Sequence, residues 1–219
     1  MNLSDTPTPL IVEDWGLLKY EQSFERQNRL LLELQAGQRP DTLVMVEHPA
    51  VVTLGRRGSV EDLKIPQSEF NSSGVELKNI NRGGLATAHE PGQFVAYPIV
   101  VLKKKDLRWY ADSLLKVVVA VLHEYGLEGV LKKGEPGVWV NGGKICSFGI
   151  AVKKWCSMHG IALNVNNDLK TFGLIVPCGR PQETVTSIVR ELGSPVDMDE
   201  LKQYFVSKFC TTFSYQPKA

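Results

Sequence analysis

A cysteine, a lysine and two histidines set among glycines are the residues of this 219-residue chain best suited to covalent chemistry. Cys178 stands between Pro177 and Gly179, with Arg180 next. A thiol in such a constrained turn is a better nucleophile than one packed inside an element, and a nearby cation would raise its thiolate fraction. Lys144, Arg180, His89 and His159 are the available cations, and spacing alone does not choose among them. Lys144 follows Gly142-Gly143 and reads either as a solvated turn lysine or as one held over a pocket. His159 beside Gly160, with Asn164 further along the same apolar run, reads either as a structural histidine or as a proton carrier. The run Arg82-Gly83-Gly84-Leu85-Ala86-Thr87-Ala88-His89-Glu90-Pro91-Gly92-Gln93 has the polar density of a ligand-binding loop. Its paired glycines allow close backbone approach and can aim N–H groups at a ligand. Gly55-Arg56-Arg57-Gly58 could hold a phosphate or carboxylate, although a solvated turn is the plainer reading.

The elements that must position these residues follow from periodicity. Leu17 to Leu34 reads as a helix stopped by Gly37 and Pro40. Thr42–Glu47, Ala50–Leu54, Val75–Asn81 and Gln93–Leu102 read as strands, with loop and one helical turn over 59–74. Asp106 to Tyr125 is the strongest helix, with an acidic N-cap and Gly126 as stop. Asn141-Gly142 predicts a tight hairpin between Gly137–Val140 and Lys144–Val152. Met158–Val165 reads as a strand, and Val185–Leu192 and Asp199–Phe209 as closing helices. The pattern predicts an α+β fold: a mixed, largely antiparallel β-sheet core packed with helices. The part from about Pro195 reads as a possible small subdomain.

Composition narrows the function classes. With 25 basic and 24 acidic residues the net charge is +1, which gives no global field for nucleic acid or a membrane surface. The four cysteines, Cys146, Cys156, Cys178 and Cys210, show no metal-type spacing and suggest free thiols in a reducing compartment. The N-terminus has neither a basic region nor an apolar run of a signal peptide, so a cytoplasmic location is expected.

Taken together, these segments resemble the lipoyl(octanoyl) transferases, which are related in fold to the biotin and lipoate protein ligases. The family pattern is an Arg-Gly-Gly-x-x-Thr-aromatic-His-Gly-Pro-Gly-Gln loop, a lysine before a small-residue strand, His-Gly-hydrophobic-Ala-Leu-Asn, and Pro-Cys-Gly. All four motifs occur here in order between Arg82 and Gly179, and Thr186-Ser187 resembles the step that follows. Ala88 stands where the family has an aromatic residue and Glu90 where it has glycine, which bears on pocket shape and acyl chain length. Arg56-Arg57 also resembles, more faintly, the glycine-arginine adenylate loop of biotin ligases.

The resemblance implies one catalytic domain over residues 1–219. It implies Cys178 as acyl-thioester nucleophile and Lys144 as the group that lowers its pKa and relays protons. Arg82, Gly83, Gly84, Leu85, Ala86, Thr87, Ala88, His89, Ser147, Phe148, Gly149, Gly160, Ile161 and Ala162 would line the substrate, with His159 and Asn164 in support. The implied donor is octanoyl-acyl carrier protein. The implied acceptors are lipoyl domains of 2-oxoacid dehydrogenase complexes and the glycine cleavage H protein. Because the donor is already a thioester, no ATP, metal or other cofactor is expected. No nucleic-acid or membrane partner is expected either. Both protein partners are acidic, which makes Lys103-Lys104-Lys105, Lys132-Lys133 and Lys153-Lys154 candidate docking sites. Competing readings are an ATP-dependent lipoate or biotin ligase, a Cys-dependent acyl thioesterase, and a non-enzymatic module that binds lipoyl domains.

Overall fold

A computed structural model describes residues 8–70, 72–176 and 182–218. In chain order the described elements are β1 (Thr8–Leu17), α1 (Tyr20–Gln35), β2 (Thr42–Glu47), β3 (Val51–Leu54), β4 (Glu76–Asn79), β5 (Ala86–His89), β6 (Gln93–Ile99), α2 (Leu107–Glu124), β7 (Val130–Lys132), β8 (Glu135–Val140), β9 (Gly143–Lys153), β10 (Cys156–Asn164), α3 (Ile188–Leu192), α4 (Met198–Phe213) and β11 (Tyr215–Pro217). The main sheet has eight strands in the order β11-β1-β2-β6-β10-β9-β8-β7, and a second sheet has the order β4-β3-β5. Pairing is parallel for β11-β1, β1-β2 and β3-β4, and antiparallel elsewhere. The expected mixed, largely antiparallel α+β fold is what the chain adopts.

The central strands are apolar throughout because both of their faces are covered. Leu43, Met45, Phe94 and Ala96 face a cluster that includes Leu114, Val118 and Val121 of α2 and Phe205 and Phe209 of α4. Val44, Val46, Val95 and Tyr97, one residue out of step, face Leu30, Leu31 and Leu34 of α1. A third cluster joins Val52, Leu54, Ala86 and Ala88 of the small sheet to Leu169, Phe172 and Ile175. No described helix is long and apolar enough to cross a membrane.

Several boundaries differ from the sequence reading. The helix expected from Leu17 starts at Tyr20, because Thr8–Leu17 is a strand. Only Leu10 of that strand is fully buried, and its register shifts between Asp14 and Leu17, so the alternation that announces a strand is weak. The helix expected from Val185 begins at Ile188, because Lys144 donates from its amide to the Thr184 carbonyl (2.8 Å) and accepts from the Thr186 amide (3.0 Å). The part after Pro195 is no subdomain. The Phe205 and Phe94 ring centres lie 5.0 Å apart with the rings tilted by 60°, Phe209 lies in the same core, and β11 returns to pair with β1. Each such buried ring contributes about 1.5–3 kcal/mol.

Candidate active site

Lys144 is the second residue of β9, immediately after a two-residue turn. Asn141 and Gly142 have φ of 49° and 84°, the pair of positive values that a twisted hairpin requires. Val138 of β8 faces Cys146 while the next residue, Trp139, faces Lys144, so Ile145 is an extra residue in β9, a bulge that re-aims Lys144. Lys144 is buried; its Nζ donates to the Pro136 carbonyl (3.2 Å) and sits 5.1 Å from the Trp139 ring centre. Gly137 makes room for it, since a Cβ there would lie 2.7 Å from Lys144 Cε.

Two spaces share part of their lining here, and this lysine borders one of them. The outer one, of about 250 Å³, is lined by Arg57, Gly84, Leu85, Ala86, Gly134, Pro136, Trp139 and Lys144, among others. Arg82, Thr87, Ser147 and Phe148 line both this chamber and an inner slot. On the same measure the slot holds only about 20 Å³, so it is narrow. Its other walls are Tyr20, His89, Val95, Tyr97, His159, Gly149, Gly160, Ile161 and Ala162. Gly149 and Gly160 are direct cross-strand partners. A Cβ on Gly149 would meet Arg82 Cδ at 2.9 Å, and one on Gly160 would meet the Ala96 carbonyl at 2.1 Å. The two glycines thin the sheet where the slot passes.

Electrostatically, the slot is a set of neutral rings around one buried cation. Arg82 donates to the Thr53 carbonyl and Oγ1 and to the Gly83 carbonyl, all at 2.9 Å. Burial, and then the Arg82 charge, pushes His159 down to about 3. Burial pushes His48 down to about 4. His89 is held well below its ordinary value by burial and then by His48. Burial raises the Tyr20 and Tyr97 phenols. Tyr97 Oη lies 2.9 Å from His48 Nε2, and the Tyr20 ring centre lies 5.4 Å from His48 and 5.9 Å from His89. A slot of neutral, largely apolar rings, with its one guanidinium held by carbonyl and hydroxyl oxygens, suits an acyl chain.

Behind the slot a buried polar chain ties the loops together. His89 Nδ1 lies 2.8 Å from Gln93 Oε1, and Gln93 Nε2 donates to Asn164 Oδ1 (2.9 Å). Asn164 Nδ2 donates to the Thr186 carbonyl (3.0 Å), and Asn167 Nδ2 donates to Glu90 Oε1 (2.8 Å). The other Glu90 oxygen accepts from the Thr171 amide (2.9 Å). Trp139 Nε1 donates to Glu183 Oε1 (2.7 Å), and the Val176 amide donates to the Asp62 carbonyl (2.8 Å). Thus the chain is pinned on both sides of residues 177–181. Cys178, with Gly179 and Arg180, lies outside the described residues.

The sequence-selected residues gather closely. Arg82, Thr87, His89, Ser147, Phe148, Gly149, Gly160, Ile161, Ala162 and His159 border the slot, and Gly84, Leu85, Ala86 and Lys144 border the chamber. Gly83 and Ala88 border neither, and Asn164 supports from behind. Ala88 packs in the small-sheet core, and Glu90 is bound to Asn167 and Thr171. Tyr20, Val95, Tyr97, Pro136 and Trp139 were not foreseen as lining residues. Of the other thiols, Cys146 is pushed by burial up to about 12, and burial also raises Cys156 and Cys210. Among the described residues no His, Cys, Asp or Glu side chains are grouped to hold a metal ion.

The model of the lipoyl protein ligase A/B catalytic domain matches residues 19–210. The chain belongs to that family. It is 41% identical over 209 residues to an octanoyltransferase of Nitratidesulfovibrio vulgaris, covering 94% of this chain and 95% of the relative. Its fold matches the bi-partite lipoate protein ligase of Thermoplasma acidophilum, solved in an archaeal lipoylation system with its E2 lipoyl domain (TM-score 0.70, 18% identity, 97% of this chain and 87% of that one). It also matches the biotin protein ligase of Aquifex aeolicus in complex with biotin and ATP (TM-score 0.57, 15% identity, 94% and 70%). Membership of this lipoyl ligase family and the octanoyltransferase relatives make the chain an acyltransferase.

Proposed function

We propose that the chain moves an octanoyl group from acyl carrier protein to a specific lysine of lipoyl domains and of the glycine cleavage H protein, through an acyl-enzyme on Cys178. The observation that supports this best is the buried Lys144 amine lining a chamber that shares four lining residues with a narrow slot of neutral rings. The similarity to octanoyltransferases supports it independently. Residues 1–219 act as one catalytic domain in this reading, and a reducing compartment keeps the nucleophile free.

The Cys178 thiolate attacks the donor carbonyl, forming a new C–S bond. The carrier's C–S bond breaks, and the carrier leaves as a thiol, taking back from Lys144 the proton that Cys178 gave up. The neutral amine of the acceptor lysine then attacks the acyl-enzyme. A C–N bond forms, the bond to Cys178 breaks, and the amine proton passes through Lys144 to the departing thiolate. The octanoyl chain lies in the slot against Tyr20, His89, Tyr97 and His159, none of which carries charge at neutral pH by virtue of its burial. Exchange of one thioester for another leaves nothing for ATP to activate.

Intact-mass analysis after mixing with octanoyl-acyl carrier protein tests the reading. One octanoyl adduct is expected, absent in Cys178→Ala and kept in Cys146→Ala. Transfer that survives Cys178→Ala and needs ATP would instead mark a ligase, and release of free octanoate with no amide product would mark a thioesterase.

A further inference from the structure

The fold leaves the candidate docking lysines in unequal surroundings. Lys132 Nζ sits 4.6 Å from the Trp139 ring centre, Lys104 pairs with Asp106 (3.7 Å), and Lys105 Nζ sits 5.8 Å from the Trp155 ring centre. Lys153 is exposed and makes no ion pair among the described residues. It lines a groove of about 440 Å³ beside α1. The helix presents Leu31 and Leu32 to this groove, and the cross-strand pair of Ala151 and Met158 continues the apolar lining. Leu32 is 62% exposed there. Gln35 Nε2 donates to the Lys153 carbonyl (2.9 Å), which ties the end of the helix to the end of β9. Arg56 lines the same groove, is exposed, and likewise has no ion pair among the described residues. No described acidic residue lines the groove. Two other open grooves use their cations internally. Beside α4, Lys202 is held by Asp14 (2.8 Å) and Asp199 (3.1 Å), and along the outer face of α1, Arg39 pairs with Glu13 and Glu33.

Arg56 also joins the groove to the reaction site. Its amide donates to the Arg82 carbonyl (3.0 Å), and the next residue, Arg57, lines the outer chamber. A partner seated on the groove therefore rests next to the chamber. That arrangement suits the donor rather than the acceptor. The acceptor lysine must enter the chamber on its own side chain, so its domain has to sit over the mouth. The carrier presents its acyl group on a long flexible arm, which can cross the Arg56-Arg57 loop while the protein rests to one side. We infer that the groove lined by Arg56 and Lys153 docks acyl carrier protein, through an acidic helix that turns apolar residues toward the groove. The inference rests on the acyl-transfer reading above. Leu31, Leu32, Ala151 and Met158 meet the apolar face of the helix, as in helix-in-groove recognition. The two cations meet its carboxylates and steer its approach. A contact of this size is transient, as a carrier that must leave after each turnover requires.

Steady-state transfer to a lipoyl domain, with octanoyl-acyl carrier protein as the varied substrate, tests the site. Arg56→Glu and Lys153→Glu should each raise the KM for the carrier about ten-fold, or about 1.4 kcal/mol, with kcat at saturating carrier unchanged. The increase should shrink as salt rises. Leu32→Ser should raise the same KM with little dependence on salt, since it removes apolar contact and no charge. In all three variants the KM for the lipoyl domain should stay at the wild-type value. Lys132→Glu, beside Trp139, should leave the KM for the carrier in place. Groove variants that do not change the KM for the carrier overturn the site. So do variants that raise the KM for the lipoyl domain instead, since the groove would then seat the acceptor. A fall in kcat at saturating carrier with KM unmoved also overturns it, because it would mark a disturbed chamber. A wild-type protein that takes no octanoyl group from the carrier would remove the acyl-transfer reading itself, and the docking site with it.

Discussion

Lys144 is held in place by three features at once: the Pro136 carbonyl, the Trp139 ring and the space left by Gly137. Removing the amine leaves that frame standing, so Lys144→Ala should fold yet transfer acyl groups about 10²–10⁴-fold more slowly in kcat, the usual range for a lost proton carrier. A steady-state assay on a lipoyl domain, with circular dichroism to confirm folding, measures it; near-normal kcat would remove Lys144 from the chemistry. Gly137→Ala should act in the same direction, because its Cβ would fall 2.7 Å from Lys144 Cε and from the Cys146 carbonyl. The position of Lys144 after a tight turn was legible from Asn141-Gly142-Gly143. Its inward direction was not, because an extra residue in its own strand, Ile145, decides which face it takes, and no local pattern announces that bulge. Glu90 teaches the same lesson: nothing local announces that its oxygens find Asn167 and Thr171, partners more than seventy residues away in sequence.

Strands β9 and β10 illustrate how an element carries a site. Gly149 faces Gly160 across the pair, and the absence of side chains there lets Arg82 lie over one strand and the Ala96 carbonyl over the other. Gly160→Ala should force that carbonyl away and cost about 1–3 kcal/mol, as overpacking does. Urea unfolding measures the loss, and unchanged stability would show the strands can part freely at that point. The hairpin was legible because its turn chemistry is local. Helix α1 was legible as a helix but not as part of the site, since Tyr20 meets His48 and His89 only after the chain has turned back twice. Strand β1 was missed because one buried residue, Leu10, gives no alternation to detect.

At the scale of the whole molecule, burying three histidines near Arg82 makes stability depend on acidity. His48 and His159 titrate at about 4 and about 3 in the fold, below the ordinary value near 6.5. As pH falls through about 6.5 the unfolded chain takes up these protons first. Their contribution is therefore complete above about 6.5 and shrinks on acidification, at about 1.4 kcal/mol per pH unit for each histidine, down to its folded value. Urea midpoints between about pH 6.5 and 5 should fall steeply, and a flat profile there would contradict the neutral state of the rings. The same architecture sets which genetic changes the chain can absorb. Lys144, Ser147 and Gly149 share β9, where neighbouring side chains alternate between faces and the extra residue Ile145 brings Lys144 into step with the other two. Point substitutions at the outward positions of β9 alter one contact each. Deleting one residue between Lys144 and Gly149 turns the lysine or the slot wall to the wrong face, whichever end keeps its pairing. Homologous chains should accordingly vary in length at the turn after Lys153 and keep the spacing from Lys144 to Gly149 constant.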